Sequence, residues 1–232
     1  MQLAQHEYWQ TIHAARTFDA GPVAGFRELY PASLPDGRQI ALPVRILPGD
    51  GRAAVASLIV NQASFAVVDA IADALADIAR SSAPDIVVGV PTLGLPLAEG
   101  VARRLGHARM VALGTSRKFW YEDGLSQPLS SITSPGHQKR LYLDPRMLPL
   151  LAGRRVAVVD DVISSGSSML AVLTLLGSAG IAPVAILAGM LQGAAWRALL
   201  GDFDAGIEAR IAAALTSPRL VRGDDGGWRP EA

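Results

Sequence analysis

Two adjacent aspartates, Asp160 and Asp161, close the apolar run Val156-Ala-Val-Val. They are followed by Val-Ile and then by Ser164-Ser165-Gly166-Ser167-Ser168. The run has the length and β-branching of a buried strand, and the stretch from Ser167 to Ser178 has the composition of a helix. In open α/β sheets, ligands bind beyond the carboxyl ends of strands, where the turn can bring neighbouring side chains into one cleft. A loop of small hydroxyl residues opening into a helix offers backbone N–H groups and hydroxyls to a phosphate, and glycine lets the backbone approach closely. Carboxylates repel phosphate but bind hydroxyls or magnesium. The segment therefore asks for a ligand with a phosphate at one end and vicinal hydroxyls beside it. A ribose 5-phosphate meets that description.

Competing readings fail on residues. A nucleotide-binding Walker loop needs a lysine that is absent here, and no Gly-x-Gly-x-x-Gly follows a strand. A receiver domain also places two acids after an apolar strand, but its acidic strand comes first in the domain. Two acids, four serines and a glycine exceed what helix capping alone requires.

The elements that position this segment are read from apolar periodicity. Ser64 is placed to cap a helix over residues 65–80, with apolar residues at helical spacing. Residues 85–90, 110–113, 155–160 and 184–191 read as strands, and 96–105 and 167–178 as helices, with Gly106 and Gly180 as stops. Strands alternating with helices predict an α/β fold with a doubly wound, mainly parallel sheet over residues 61–200. Residues 1–60 read as a small N-terminal hood. It starts with an irregular arm or short helix, and turn chemistry at Pro35-Asp36-Gly37 and Pro48-Gly49-Asp50-Gly51 separates antiparallel strands at 39–47 and 52–60. Residues 201–232 are expected to form a C-terminal helix and a disordered tail. Residues 114–143 break the alternation, and so long a polar and aromatic stretch reads as a functional lid.

Composition bounds the rest. The 232 residues are 50% hydrophobic and 18% charged, enough for a sizeable core. Twenty-one basic residues balance 21 acidic ones, so a general nucleic-acid or membrane binder is not expected. Cysteine is absent, which excludes disulfides, thiolate metal sites and cysteine nucleophiles. No apolar run is long enough to span a bilayer, and the first residues lack the pattern of a secretory signal, so a cytoplasmic location is expected. Only two of the basic residues are lysines, Lys118 and Lys139, and both fall in the 114–143 segment.

The run Val-Ala-Val-Val-Asp160-Asp161-Val-Ile-Ser-Ser-Gly-Ser-Ser resembles the phosphoribosyl pyrophosphate (PRPP) signature of the type I phosphoribosyltransferases. The resemblance extends over about residues 60–195. It implies that Asp160 and Asp161 contact the ribose hydroxyls, that Ser164, Ser165, Gly166, Ser167 and Ser168 hold the 5-phosphate, and that Mg2+ enters with PRPP, with Asp160 and Asp161 as its possible protein ligands. A β-branched residue at Gly166 is expected to abolish phosphate binding while leaving the core folded. Pro91, Thr92, Leu93 and Gly94 are similar to the family's pyrophosphate loop. Arg117 and Lys118 stand where the family has an Arg-Lys pair before its closing loop, and Lys139 lies at that loop's far end.

By this resemblance the chain transfers ribose 5-phosphate from PRPP to a nitrogen of a nucleobase, releases pyrophosphate, and belongs to nucleotide salvage as a homodimer. Asp160, Asp161, Lys118 and Lys139 are the candidate catalytic residues. A purine is favoured as acceptor, adenine first, because no lysine follows Lys139 to read a 6-oxo group. Phe119, Trp120 and Tyr121 could stack on a planar base. Two alternatives stand beside this reading: a PRPP-binding regulator without catalysis, and a transferase for orotate or another base.

Overall fold

A computed structural model of the chain describes residues 3–129 and 139–231. The strands and helices run β1 (Ile12–His13), β2 (Leu29–Ser33), β3 (Gln39–Ile46), β4 (Ala53–Ala56), α1 (Phe65–Arg80), β5 (Ile86–Gly89), α2 (Gly94–Arg104), β6 (Val111–Ala112), β7 (Ser126–Leu129) and β8 (Lys139–Tyr142). They continue with α3 (Leu148–Leu151), β9 (Val156–Ile163), α4 (Ser167–Ser178), β10 (Ala185–Gln192), α5 (Ala195–Phe203), β11 (Ile211–Ser217), β12 (Arg219–Arg222) and β13 (Trp228–Pro230).

The core is a five-stranded sheet in the order β11-β10-β9-β5-β6, with every pair parallel. Its strands are apolar on both faces, as a sheet covered on both sides must be. Successive residues divide between two cores as the two-residue period of a strand dictates. Val87, Ala157, Val159, Ala185 and Leu187 pack with α1 and α2. Ile86, Val88, Val156, Val158, Ile186 and Ala188 pack with α4 and α5. Helix α1 forms because Val67, Ile71, Leu75 and Ala79 bury one face. The Ser64 hydroxyl caps it by accepting from the Val67 N–H at 3.3 Å, a contact worth about 1 kcal/mol. The crossover from β5 to β6 runs through α2 on one face, and that from β9 to β10 runs through α4 on the other. The chain thus leaves β5 towards one edge of the sheet and returns to β9 on the other side. The switch point lies between the carboxyl ends of β5 and β9.

The expected strands and helices of the core are present, with ends shifted by a few residues. Helix α2 starts at Gly94 rather than Pro96, and β9 continues through both aspartates to Ile163. A second, antiparallel sheet has the order β1-β3-β4-β12-β13, with β2 on β3. The antiparallel pairing of β3 and β4 follows the expected turn at 48–51.

The expectation for residues 201–232 is corrected. The last helix, α5, ends at Phe203. Residues 211–217 form the edge strand β11 of the core, where Ala214 and Leu215 are buried. The supposed disordered tail supplies β12 and β13 to the antiparallel sheet. Leu220 and Trp228 are buried there with Phe26 and Ala54, and Phe26 exchanges backbone hydrogen bonds with Trp228. The turn residues Gly223 to Gly227 close this hairpin. They read as a flexible tail because the apolar positions that anchor it are only two, far from any periodic run. Residues 3–60 carry strands and no α-helix, so the short helix considered for the arm is not formed among them.

Within the 114–143 segment, β7 and β8 pair as an antiparallel ribbon, and Gly114 exchanges backbone hydrogen bonds with Tyr142 at its base. The rest of the expected lid, residues 130–138, lies outside the described residues. No helix among the described residues is long and apolar enough to cross a membrane.

A candidate active site at the acidic segment of the central strand

Strand β5 stops at Gly89, paired with Val159, and the Val90 N–H donates to the Val159 carbonyl. On that side the sheet ends one residue before Asp160. The two acids therefore continue β9 past the end of β5 at the switch point, while on the other side β9 stays paired with β10, Ala188 opposite Asp160. Asp160 is 5% exposed, and its Oδ1 accepts from the Asp161 N–H at 2.8 Å. Burial raises its carboxyl well above the usual carboxylate range, and the neighbouring charge of Asp161 pushes the same way. Burial also raises Asp161, which is opposed by the hydrogen bond it takes from Asp160. The two acids form one proton-sharing pair in which Asp160 is the better proton holder.

Two glycines make room for this pair. A Cβ built on Gly94 would stand 2.8 Å from Asp160 Cα and 3.0 Å from its Oδ1. One built on Gly189 of β10 would stand 2.8 Å from both the Asp161 carbonyl oxygen and Leu97 Cδ1. Gly94 was among the expected site residues, but Gly189 was not. It sits inside a strand pattern, and a strand glycine can mark close backbone approach. That was its only signal.

Beyond β9, residues 164–168 turn into α4. Gly166 has φ +85°, the left-handed conformation that favours glycine. The Ser165 hydroxyl lies 2.9 Å from that of Ser167 and accepts from the Ser167 N–H. Ser165 thus ties the first residue of α4 back to the loop, while the N-cap position itself is Gly166 and has no side-chain cap. Asp160, Ser164, Ser165, Gly166 and Ser168 line a cavity of about 90 Å3 beside this turn. Gly166 is also buried against α5, and its Cβ would meet Trp196 Cα, Trp196 Cβ and Leu200 Cγ at 3.2 Å. A bulky residue there would strike a packed helix, so the expectation that the core tolerates a β-branched residue is corrected.

The loop 91–94 bridges β5 and α2, and its Pro91–Thr92 peptide is cis. The packing of Gly94 on Asp160 brings this loop and the acidic strand together. Arg117 pairs with Asp123 at 2.9 Å, and Lys118 and Lys139 are solvent-exposed. Among the described residues, no hydrogen bond or ion pair joins either lysine to Asp160, Asp161 or the 164–168 loop.

The aromatic run also divides. Phe119 is 96% exposed. Trp120 Nε1 donates to Asp144 Oδ2 at 3.3 Å, and the Arg146 guanidinium lies 4.5 Å from its ring centroid. Hydrogen bonds from Arg146, chiefly, hold the Asp144 carboxyl down to about 2. Tyr121 packs on Tyr142. Trp120 and Tyr121 are thus engaged in fixing the base of the β7–β8 ribbon.

A magnesium ion suits the donor set. Two carboxylates and several hydroxyls are hard oxygen donors, and magnesium is commonly held by one or two carboxylates with substrate oxygens and water completing its shell. Among the described residues no group of three or more His, Asp or Glu could hold an ion alone, so the protein's share would be Asp160 and Asp161.

Paired acids on the central strand, a serine–glycine loop after them and a second loop from the neighbouring strand meet at the switch point of a doubly wound α/β fold. Residues 62–208 match the phosphoribosyl transferase domain family, and the chain belongs to that family. It is 33% identical over 156 residues to "Transcriptional regulator GfcR" of Halobacterium salinarum, covering 67% of this chain and 63% of that protein, so the match spans less than two thirds of the regulator's length. It is 33% identical over 100 residues to an amidophosphoribosyltransferase of Synechococcus elongatus, covering 43% of this chain and 19% of that one. Among solved structures, an adenine phosphoribosyltransferase of Giardia lamblia complexed with 9-deazaadenine superposes with a TM-score of 0.57 at 20% identity, covering 76% of this chain and 93% of that one. One of Leishmania tarentolae gives 0.51 at 16% identity, covering 82% and 84%. These likenesses establish the shared fold.

Proposed function

We propose that the chain transfers ribose 5-phosphate from PRPP to a ring nitrogen of a nucleobase and releases pyrophosphate. The observation that carries this reading is the packing of Gly94 on Asp160. It sets a loop suited to the leaving pyrophosphate against the acids suited to the ribose, with the 164–168 turn behind them for the 5-phosphate. In this reading the phosphate is assigned to the 164–168 turn, the diol to Asp160 and Asp161, and the pyrophosphate to the 91–94 loop. Bound Mg2+ would offset pyrophosphate charge and draw the Asp160–Asp161 pair into its ionised form. The chain's own residues orient the sugar, and positioning with charge stabilisation carries most of such a reaction. The sequence-based ranking puts a purine first, with adenine as the initial test. The solved adenine enzymes support it at the level of fold.

A regulator that binds PRPP without turnover is the second reading, supported by the identity to the Halobacterium salinarum regulator. One experiment separates the two. The protein is incubated with PRPP, Mg2+ and a panel of bases, and both PRPP binding and pyrophosphate release are scored. Release with one base supports the transferase. Tight PRPP binding with no release from any base supports the regulator. No PRPP binding by a folded protein rejects both.

A further inference from the structure

The strand period breaks at the two acids. Val159 of β9 and Leu187 of β10 belong to the core shared with α1 and α2. A two-residue period would place Val162 and Met190, three residues on, in the opposite core. Both instead lie in the α1–α2 core again, and Ile163 and Leu191 lie in the core shared with α4. The alternation therefore slips by one residue in both strands at the same level. Asp160 and Asp161 occupy the slip in β9. Ala188 and Gly189 occupy it in β10, with Ala188 opposite Asp160. Strand irregularities of this kind re-aim side chains, and they recur beside active sites.

Residues 56–58, which leave the antiparallel sheet at the end of β4, back this slip. A Cβ on Gly189 would stand 3.5 Å from Leu58 Cδ2 and 2.8 Å from the Asp161 carbonyl oxygen. Leu58 therefore lies against the glycine that touches the Asp161 backbone, and both Ala56 and Leu58 are buried. The segment has three fastenings. The Ser57 N–H donates to the Pro43 carbonyl at 3.0 Å, and the Ser57 carbonyl accepts from Trp9 Nε1 at 2.8 Å. Those two tie it to the first 60 residues.

The third fastening ties it to the parallel sheet. Gln192, the last residue of β10, donates from Nε2 to the Ala56 carbonyl at 2.7 Å, across 136 positions of sequence. A carbonyl only accepts, so the amide end of this side chain is the part that can make the bond. Ala56 meets β10 at Gln192, and Leu58 meets it three residues earlier at Gly189. The segment thus runs back along β10 from the hydrogen bond to the slip. Among the described residues no hydrogen bond joins Gln192 to Asp160 or Asp161, so any influence on them passes through residues 56–58 and Gly189.

We propose that Gln192 is a positioning residue for the Asp160–Asp161 pair. Its amide fastens residues 56–58 to the end of β10, that segment seats Leu58 on Gly189, and Gly189 holds the Asp161 backbone in the slip. Hydrogen exchange of the full chain tests this without a ligand. Gln192→Met keeps the side-chain length and removes the donor. Amides of residues 160–163 and 188–191 should exchange about tenfold faster, the size of one hydrogen bond, while those of β5 and α4 keep parental rates. PRPP affinity, by calorimetry with Mg2+, should fall about tenfold. That arm rests on the PRPP site proposed above, whereas the exchange arm does not. Gln192→Asn, too short to reach Ala56, repeats the test if the methionine variant misfolds. Parental exchange at 160–163 in a folded variant overturns the proposal. So does faster exchange spread evenly through β5 and α4, the mark of a bond that only stabilises the fold. Local loosening with parental PRPP affinity also overturns it, because the acids would then not depend on the slip. Local loosening in a protein whose parent binds no PRPP would uphold the positioning of the acids and reject the PRPP site.

Discussion

Gly94, the first residue of α2, lies flush against Asp160 of β9. A methyl group on the glycine would meet Asp160 Cα at 2.8 Å and both Asp160 Oδ1 and the Val159 carbonyl oxygen at 3.0 Å. Two of those three atoms are backbone, which cannot rotate away. Gly94→Ala should therefore separate the 91–94 loop from the acidic strand and cost roughly 1–3 kcal/mol of stability, the range for overpacking. PRPP affinity should fall with it. Urea unfolding and calorimetry on the same variant measure both, and parental PRPP affinity would show that the two loops act independently.

Asp160 should oppose stability in the free protein. Burial, reinforced by Asp161, raises its folded-state carboxyl above the usual range. Between the ordinary carboxylate value, about 3.9, and that raised value, the folded state binds more protons than the unfolded one. Stability then declines as pH rises through this window. In a chelating buffer the melting temperature should fall from mildly acidic to neutral pH. Asp160→Asn should flatten that slope and stabilise the neutral protein by on the order of 1 kcal/mol, as relief of a strained functional site commonly does. The same variant should lose PRPP binding. A pH slope unchanged by the substitution would contradict the assignment of the proton to Asp160.

Much of this was legible in the sequence, for definite physical reasons. The strand read at 155–160, which the structure extends to Ile163, and the helix at 167–178 were visible because β-branched residues, small turn formers and apolar spacing agree locally. Ser64 was readable as a cap because its role depends on residues three positions away. What escaped depends on distant partners. Gly189 matters only because Asp161 and Leu97 approach it across the sheet. Strands β12 and β13 form through pairing with β4 and with each other, near residues far earlier in the chain, and their own sequence is turn-rich. Composition cannot tell a stacking platform from packing, and the contacts of Trp120 and Tyr121 with Asp144, Arg146 and Tyr142 become visible only in the fold.

Gly166 should tolerate no side chain. Its φ of +85° costs an L residue about 1–2 kcal/mol, and the 3.2 Å approach to Trp196 and Leu200 adds crowding. Gly166→Ala should lower the unfolding midpoint and weaken ribose 5-phosphate binding together, because the turn that presents the loop also seats α5. Denaturant titration with phosphate-ligand calorimetry checks this. Full ribose 5-phosphate affinity in the folded variant would remove the 164–168 turn from the phosphate site.

Lys118 and Lys139 should matter for turnover more than for PRPP binding. Bound PRPP already carries its pyrophosphate charge. As the C1–O bond breaks, further negative charge collects on the departing oxygen, and a cation brought to it contributes more in the transition state than in the ground state. The structure leaves both lysines solvent-exposed, Lys118 in the loop before β7 and Lys139 at the first residue of β8, with the Gly114–Tyr142 bridge at the base of the ribbon. Neither is committed to an ion pair among the described residues, whereas Arg117 is held by Asp123. A movement of the ribbon towards the crevice would carry them together. Loss of one such donor should lower kcat by about 10²–10³ while leaving PRPP affinity within a few-fold, if it acts as other preorganised donors do. Arginine should rescue poorly, because its planar fork does not reproduce a compact ammonium. The measurement is steady-state kinetics of Lys118→Ala and Lys139→Ala with a turned-over base, paired with PRPP calorimetry. Equal loss in kcat and PRPP affinity would make the lysines ground-state binding residues, and parental kinetics in both variants would return them to the solvated surface of the ribbon.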